Sequence, residues 1–525
     1  MPQRAIQVPR PSRRLQKPIQ SSDLEHARAI MGAMRNLVTT GITTAIRTAA
    51  FGLVLMFGAG LTGSRDLSAA EPAISAEQQN VLNHITAQSM RGNLSFLASD
   101  LLEGRDTPSR GLDLAAEFIA AQFRRAGLEP AGMNGYFQSV PVLVREPNRE
   151  GFRMSITVRG KSIEIPPEQA SILVDGAVDV ENAPLTVVDQ NTILKASLID
   201  GSVVYATNPR AARALRQFKP KLVLTSAREI EGGARVIDPD AEPRGTATGV
   251  VASPELRDQL HPGVAAYITL HVGPPVERHG IARNVAGLMR GSDPSLADSY
   301  VLLTAHYDHV GMRNSGEDRI YNGANDDGSG TVSVLEIANA IAESGVKPKR
   351  SILFITFFGE EKGLLGSRYY GRHPLVPLDR TIADMNLEQL GRTDATNGPQ
   401  IARISPTGFD FSNVIRILQA AGKLTGVKIY DDQESSNAFF ARSDNQALAD
   451  AGIPAHTLCV AFDYPDYHGV GDEWQKIDYS NMAKVDGAIA LALLQLASAE
   501  PPPKWNSSSE TRRYVDAAKK LHAGE

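Results

Sequence analysis

Residues 351–361 read SILFITFFGEE, an apolar run that ends in the adjacent glutamates Glu360 and Glu361. An uncharged run of this length, bounded by polar residues, is typical of a strand that is buried on both faces of a sheet. Two neighbouring carboxylates repel each other, so both need solvent or a partner of opposite charge. The stretch therefore predicts a buried strand that carries two acidic groups to one end of a sheet.

The segments around this strand alternate between strand and helix patterns. YVLLTAHYDHVG (300–311) and TIADMNLEQLG (381–391) predict strands, whereas GSGTVSVLEIANAIAESG (328–345) predicts an amphipathic helix. Such alternation is typical of parallel sheets. The predicted fold class is α/β, with a mostly parallel mixed sheet that is covered by helices on both faces. In such sheets ligands bind at the carboxyl ends of the strands.

Composition narrows the class of protein. The chain has 525 residues, of which 42% are hydrophobic and 22% are charged, as in an ordinary globular protein with two or three folded units. The first 70 residues hold nine Lys/Arg and three Asp/Glu, which leaves 45 basic and 56 acidic residues, a net charge of −11, in the rest. This balance argues against nucleic acid as a partner. The single cysteine, Cys459, excludes an intrachain disulfide, and its apolar flanks predict a buried thiol.

The N-terminus resembles an export signal. Basic residues precede the apolar stretch TAAFGLVLMFGAGLTG, and small residues then offer a cleavage site after about Ala70. The start of translation at Met31 or Met34 is an open alternative, and so is an uncleaved membrane anchor. The apolar stretch is shorter than the ~20 residues of a bilayer span. We therefore expect cleavage, no stable membrane span afterwards, and a periplasmic or extracellular location.

The end of each predicted strand or its following loop carries acidic or histidine residues. The segments are AHYDH, NDDGSG, GEE, LEQLG and DYHGVGD. Each of them alone is explained by turns, helix caps or solvated surface. Their recurrence at one edge of one sheet is different, because clustered acids repel unless a cation lies among them. Imidazole and carboxylate groups without cysteine suit zinc or another divalent ion.

The order of these groups resembles that of peptidase family M28, the co-catalytic zinc aminopeptidases and carboxypeptidases. The residues that carry the resemblance are His306 and Asp308, the run Asn325-Asp326-Asp327-Gly328-x-Gly330, then Glu360, Glu361, Glu388 and His468. LEGRDTPSRG (102–111) and AAEFIAAQFRRAGLEP (115–130) resemble the start of the bacterial members. The overlapping segment RGLDLAAEFIAAQFRRAGLEP (110–130) predicts a helix, with Leu114, Phe118 and Ala121 on its packing face.

The resemblance implies a role for each matching residue. One zinc ion would bind His306, Asp326 and Glu388. The second would bind Asp326, Glu361 and His468, so that Asp326 bridges two Zn²⁺ ions. Asp308 would orient the imidazole of His306, Glu360 would be the general base, and Tyr467 would stabilise the oxyanion. The resemblance also implies a cis peptide bond between Asp326 and Asp327.

The sequence departs from the family pattern at two positions. Glu388 stands where many relatives have aspartate, and Asn445 stands where relatives often have histidine after Ser-Asp. The longer Glu388 side chain keeps a carboxylate, so we expect it to remain a ligand. No histidine contact is expected at Asn445.

The predicted domain boundaries follow from the resemblance and from changes in the local sequence pattern. A basic N-terminus with the signal occupies 1–70, and the N-terminal part of the peptidase domain occupies 71–136. A β-rich insert that resembles a protease-associated domain occupies 137–276, the main part of the peptidase domain 277–500, and a polar tail 501–525.

The resemblance implies an aminopeptidase that acts on peptide substrates. Three alternatives stay open: a carboxypeptidase of the same fold, an acyl transferase of the glutaminyl cyclase type with a single zinc ion, and a receptor-like module without metal. The complete ligand set and the retained Glu360 favour the peptidase.

Overall fold

The computed structural model describes residues 74–227, 234–238, 247–432 and 436–523. The predicted export signal lies outside these residues. The helices are α1 (Ala76–Asn83), α2 (Ala87–Leu97), α3 (Arg110–Arg125), α4 (Ala196–Ile199), α5 (Pro209–Ala214), α6 (Pro254–Gln259), α7 (Gly330–Ser344), α8 (Leu365–Arg372), α9 (Val414–Thr425), α10 (Ser436–Phe439), α11 (Asn445–Asp450), α12 (Tyr479–Ala497) and α13 (Arg512–Leu521).

Strands form two sheets. The strands are β1 (Glu129–Pro130), β2 (Phe137–Glu146), β3 (Arg153–Val158), β4 (Lys161–Glu164), β5 (Ala170–Leu173), β6 (Val178–Val188), β7 (Val203–Ala206), β8 (Leu222–Ser226), β9 (Arg235–Ile237), β10 (Thr248–Val251), β11 (Ala266–Val272), β12 (Val276–Met289), β13 (Tyr300–His306), β14 (Ser351–Phe357), β15 (Thr381–Leu387), β16 (Arg403–Pro406), β17 (Lys428–Ile429) and β18 (Ala455–Cys459).

The larger sheet has the order β17-β16-β18-β15-β13-β14-β12-β2-β9, and β1 pairs with β12. Its centre, β18-β15-β13-β14, is parallel. The flanks turn antiparallel, at β16 on one side and at β12 on the other. The predicted α/β class with a mixed sheet is confirmed. The parallel centre matters for function, because the carboxyl ends of its strands meet at one edge.

Helices cover both faces of this sheet. Val301 and Leu303 of β13 point into one core with helices α7 and α12, whereas Tyr300 and Leu302 point into a second core with α8 and α11. This alternation follows from the pleat of a strand, in which successive side chains point to opposite faces. Both cores are apolar, which explains the uncharged strand sequences.

Helix α3 exists as predicted, but its predicted packing face is wrong. Leu114 is 41% exposed, and the buried side includes Leu112, Ile119 and Phe123. Ala115, Ala116 and Ala120 share this buried side, whereas Leu114 is exposed and Phe118 is partly buried. Cys459 is buried and unpaired, as predicted.

The second sheet has eight strands in the order β4-β3-β11-β6-β7-β8-β10-β5. Its strands lie between Arg153 and Val272, a narrower span than the predicted insert of 137–276. The difference arises at the edges, because β2 pairs along its whole length with β12 in the larger sheet. The tail predicted at 501–525 includes helix α13, and Trp505 and Tyr514 are buried in the core of the larger sheet.

Candidate metal centre

The predicted functional residues meet at the carboxyl edge of the larger sheet. Strand β13 ends at His306, β14 leads into Glu360 and Glu361, and Glu388 follows β15. Asp326 lies in the irregular segment Ala324–Ser329 that precedes helix α7. The parallel strands thus deliver side chains that are far apart in sequence to one place.

A first group consists of one imidazole and two carboxylates. His306 Nε2 lies 3.5 Å from Asp326 Oδ1 and 3.4 Å from Glu388 Oε1. The His306 side chain is fully buried, and its Nε2 atom has no hydrogen-bond partner among the described residues. A buried polar atom without a partner is costly. These donors therefore suit a divalent ion.

A second group uses the other oxygen of Asp326. His468 Nε2 lies 3.2 Å from Asp326 Oδ2 and 3.1 Å from Glu361 Oε1. The Glu361 side chain is 8% exposed, and its Oε1 atom also lacks a hydrogen bond. Asp326 thus faces both groups, one with each oxygen. All five side chains that the sequence predicts as metal ligands are brought together.

The carboxylates of the site favour the protonated, positively charged form of the neighbouring imidazole of His468. Burial opposes the protonated form of His468, but Asp326 and Glu361 outweigh it and raise the pKa of this imidazole to about 10. Burial and Asp326 oppose ionisation of Glu361, but His309 and His468 outweigh them and lower its pKa to about 2. A cation can take the place of the imidazole protons.

Asp308 connects two parts of the site. Its Oδ1 atom lies 3.5 Å from His306 Nδ1 and accepts a hydrogen bond of 3.1 Å from the backbone N–H of Glu360. Thr107 donates its hydroxyl to the other oxygen at 3.3 Å. Asp308 is therefore in position to fix both the His306 ring and the backbone at Glu360.

Glu360 directly precedes Glu361, a candidate metal ligand, in the chain. Burial raises the pKa of its carboxyl group well above the usual range; His306 opposes this shift, and the Glu361 carboxylate adds to it. Tyr467 stacks on His468 with a ring separation of 4.2 Å and is 40% exposed. Both residues therefore lie next to the candidate metal ligands.

The peptide bond between Asp326 and Asp327 is cis, as the resemblance implied. The Asp327 carboxylate accepts hydrogen bonds from the N–H groups of Gly330 at 2.9 Å and Gln389 at 3.2 Å. These contacts attach the segment that carries Asp326 to helix α7 and to the end of strand β15.

Three further residues support the site and were missed by sequence reasoning. Asp472 accepts the backbone N–H groups of Asn325 at 3.0 Å and Asp326 at 3.1 Å. The Nδ1 atom of His309 lies 3.0 Å from Glu361 Oε1. His309 and Asp472 lie in the segments AHYDH and DYHGVGD that were quoted as candidate metal-binding segments. The imidazole of one and the carboxylate of the other were the sequence features that could have identified them.

The third residue is Arg105, which lies in LEGRDTPSRG. Its buried guanidinium donates hydrogen bonds of 2.6–2.8 Å to four backbone carbonyl groups, those of Leu97, Tyr307, Asn322 and Gly323. Burial lowers its pKa to about 10, opposed by nearby carboxylates of which Asp308 is the largest. The side chain therefore joins the loop after β13 to the segment before Asp326.

The two departures from the family pattern have different consequences. The Glu388 carboxylate reaches His306, as its predicted role requires. The Asn445 side chain is buried, donates to Phe440 O at 3.0 Å and accepts from Thr457 Oγ1 at 2.9 Å. An amide that both donates and accepts fits this place.

Residues 284–493 match the model of peptidase family M28. This region belongs to peptidase family M28. Leupeptin-inactivating enzyme 1 of Streptomyces exfoliatus is 26% identical to the chain over 242 residues, which cover 42% of this chain and 50% of that protein. The chain spans about half or less of the length of several curated relatives that it matches.

Solved structures share the fold. An aminopeptidase from Aneurinibacillus sp. strain AM-1 superposes with a TM-score of 0.57 at 21% identity, covering 82% of this chain and 97% of that one. A zinc aminopeptidase from Bacillus subtilis gives a TM-score of 0.51 at 19% identity, covering 78% of this chain and 94% of that one. Within the described residues, no helix combines the length and the apolar character that crossing a membrane requires.

Proposed function

We propose that this chain is a zinc-dependent exopeptidase that removes N-terminal residues from peptides. The observation that carries the proposal is the double use of Asp326, whose two oxygens face two separate groups of imidazole and carboxylate side chains. This arrangement suits a pair of ions that share one carboxylate. Membership in family M28 and the names of the relatives, which include aminopeptidases, support the same activity.

In this proposal, two zinc ions are held by the five side chains described above. His306, Asp326 and Glu388 would hold one ion, and Asp326, Glu361 and His468 would hold the other. When bound, the ions would polarise the peptide carbonyl group and make a water molecule acidic enough to react near neutral pH.

The remaining residues move or hold protons. Glu360 would take a proton from the attacking water and return it to the leaving amine. Its position directly before Glu361 in the chain supports this role, because it holds the carboxylate close to the ions without making it a ligand. Asp308 would hold His306 in one orientation. The hydroxyl group of Tyr467 would donate to the substrate oxygen as negative charge develops there.

The first experiment measures zinc content and the hydrolysis of aminoacyl nitroanilides, before and after treatment with a chelator. We expect about two zinc ions per chain and turnover that is lost on chelation and restored by zinc. A protein that binds a single ion would support the cyclase-type alternative. A protein with neither metal nor turnover would refute the peptidase and support the receptor-like alternative.

The adjacent glutamates provide a matched pair of variants. Glu360→Gln should keep both ions and lower kcat about 10²–10⁴-fold, because it removes a proton acceptor and leaves the ligands. Glu361→Gln should instead lower the zinc content. If Glu360→Gln keeps full activity, or if the two variants exchange these phenotypes, the proposed division of roles is wrong.

The choice between aminopeptidase and carboxypeptidase requires blocked peptides. One peptide is compared free, acetylated at its N-terminus and amidated at its C-terminus. Loss of cleavage on acetylation alone supports the aminopeptidase, and loss on amidation alone supports the carboxypeptidase.

We also propose that the chain is exported and that the sheet between Arg153 and Val272 is a protease-associated-like domain. The basic and apolar pattern before Ala70 supports export. The position of the sheet between two parts of the peptidase region supports the second assignment. Fractionation of cells and N-terminal sequencing of the mature chain test export, since retention in the cytosol with an intact N-terminus would contradict it.

A further inference from the structure

A buried histidine outside the family ligand set faces the second group of metal ligands. His309 stands three residues after His306, and its side chain is fully buried. Its Nδ1 atom lies 3.0 Å from Glu361 Oε1, the same oxygen that lies 3.1 Å from His468 Nε2. Ligand atoms of His309, Asp326 and Glu361 all lie within 4.8 Å of one another.

The contacts of His309 are those of a metal ligand rather than of a packed imidazole. Neither of its ring nitrogens makes a hydrogen bond to the described residues, and neither does Glu361 Oε1. The His309 and Glu361 atoms are close, yet they are poorly aligned for a hydrogen bond to each other. Two nearby donors of electron pairs that do not bond each other are both free to bind one cation.

Two other buried histidines of the chain provide a comparison. His456 is satisfied on both sides of its ring, with Ser412 Oγ at 2.6 Å and Thr407 O at 2.8 Å. His306, a predicted zinc ligand, has an unsatisfied Nε2 atom directed at carboxylates. His309 resembles His306 in this respect and differs from His456.

The backbone holds the His309 ring in this orientation. Its own N–H donates to Arg105 O at 3.3 Å. Gly323 packs directly on the ring, since a Cβ atom there would lie 2.5 Å from the ring carbons. The His468 ring lies edge-on at 5.5 Å. The ring therefore has little freedom to turn away from Glu361.

We propose that His309 is an additional protein ligand of the second metal position, through Nδ1. This inference rests on the proposed zinc-dependent function. The second position then has two imidazoles and two carboxylates, from His309, His468, Asp326 and Glu361, whereas the first has one imidazole and two carboxylates. The second position should consequently bind its ion more tightly and fill first.

The test uses the full chain with its metal replaced by cobalt, whose unpaired electrons shift the proton signals of bound histidines. In water, each cobalt-bound imidazole gives one exchangeable N–H signal far from the normal range. Wild-type protein should show three such signals, from His306, His309 and His468. His309→Gln and His309→Phe should each lose one, and His468→Gln should lose a different one.

Metal affinity is the second measurement, by competition with a chromophoric chelator. Loss of a residue that only supports a ligand typically weakens metal binding 10–100-fold. Loss of His309 as a direct ligand should weaken the tighter of the two sites by more than about 100-fold. His456→Gln, which also removes a buried imidazole, is the matched control and should leave the affinities and the shifted signals unchanged.

The outcomes separate this inference from the proposed function. If wild-type protein binds no divalent metal, the proposed function fails. If it binds two ions but shows only two shifted imidazole signals, or keeps all three in both His309 variants, His309 is not a ligand. A modest loss of affinity with unchanged signals likewise overturns the inference, since His309 then only positions Glu361.

Discussion

Asp472 should be necessary for the shape of the segment that carries Asp326. Its carboxylate is buried and accepts hydrogen bonds from the N–H of Asn325 at 3.0 Å, the N–H of Asp326 at 3.1 Å and the hydroxyl of Tyr464 at 3.0 Å. We predict that Asp472→Asn destabilises the M28 region and weakens zinc binding, because the amide keeps one acceptor oxygen and turns an NH₂ group toward these donors.

The size of the effect follows from these contacts. A hydrogen bond to a charged group contributes about 1.5–3 kcal/mol, and asparagine must lose at least one of them. Burial raises the pKa of Asp472, so the ionised carboxylate is itself costly, and this cost disappears in the variant. We therefore expect a net loss of about 2 kcal/mol in the free energy of unfolding rather than the sum of the bonds. Zinc affinity should fall about 10–100-fold, as for other residues that orient ligands.

Urea unfolding of the metal-free protein at pH 7.5 measures the loss of stability. The two tryptophans of the chain, Trp474 and Trp505, both lie outside the second sheet, so their fluorescence reports on the peptidase region. Glu473→Gln makes the same change of charge one residue away and serves as the control. A loss below about 0.5 kcal/mol with unchanged zinc affinity would refute the reasoning, because changes of that size are ordinary for surface substitutions.

Two further predictions concern residues that are not metal ligands. Burial lowers the pKa of His456 to about 4, so the folded state binds fewer protons than the unfolded state below pH ~6.5. The free energy of unfolding should therefore fall by about 3 kcal/mol as the pH falls from above 6.5 to 4. Urea midpoints at pH 4.5 and 7 measure this loss, which His456→Gln should lack. If the midpoints of the wild type and the variant fall in parallel, the loss does not come from His456. Gly330→Ala should destabilise, because its Cβ atom would lie 2.4 Å from Leu387 O, whereas nothing lies within 4 Å at Gly92. Gly92→Ala, in the exposed middle of helix α2, should stabilise the folded protein by about 0.5–1 kcal/mol. Thermal midpoints of the two variants test this difference. Equal shifts of the midpoint would exclude a steric clash at Gly330 as the cause.

Much of the fold and the set of candidate ligands could be predicted from the sequence. The uncharged runs at β13 and β14 have one stable location, the centre of a covered sheet, and parallel strands bring their ends to one edge. The acidic residues that follow these strands are therefore neighbours, whatever conformation the connecting loops adopt. The boundary at Phe137 could not be read in this way, because β2 has the same alternating pattern as the strands of the second sheet and differs only in its partner, β12.

The face of helix α3 and the role of His309 were unpredictable for a related reason. The periodicity of α3 allows more than one apolar stripe, and packing against other parts of the chain buries the stripe that contains Leu112, Ile119 and Phe123. At His309, the sequence shows an imidazole near a ligand but does not show where the ring points. Its direction depends on Gly323, whose lack of a side chain leaves room for the ring. Both features depend on contacts between segments that are distant in sequence.

Arg105 supports the loops of the candidate metal centre with a positively charged side chain that does not compete with a metal cation. Among the described residues, the hydrogen bonds of its guanidinium go to carbonyl oxygens, such as those of Tyr307 and Gly323, and none goes to a carboxylate. A direct ion pair with Asp326 would occupy an oxygen that a metal needs. Because the guanidinium binds backbone carbonyl groups instead, its positive charge reduces the repulsion among the buried acids and its hydrogen bonds fix the loops. The carboxylate oxygens stay free. The arrangement separates the group that stabilises the folded loops from the groups that are available to a metal ion.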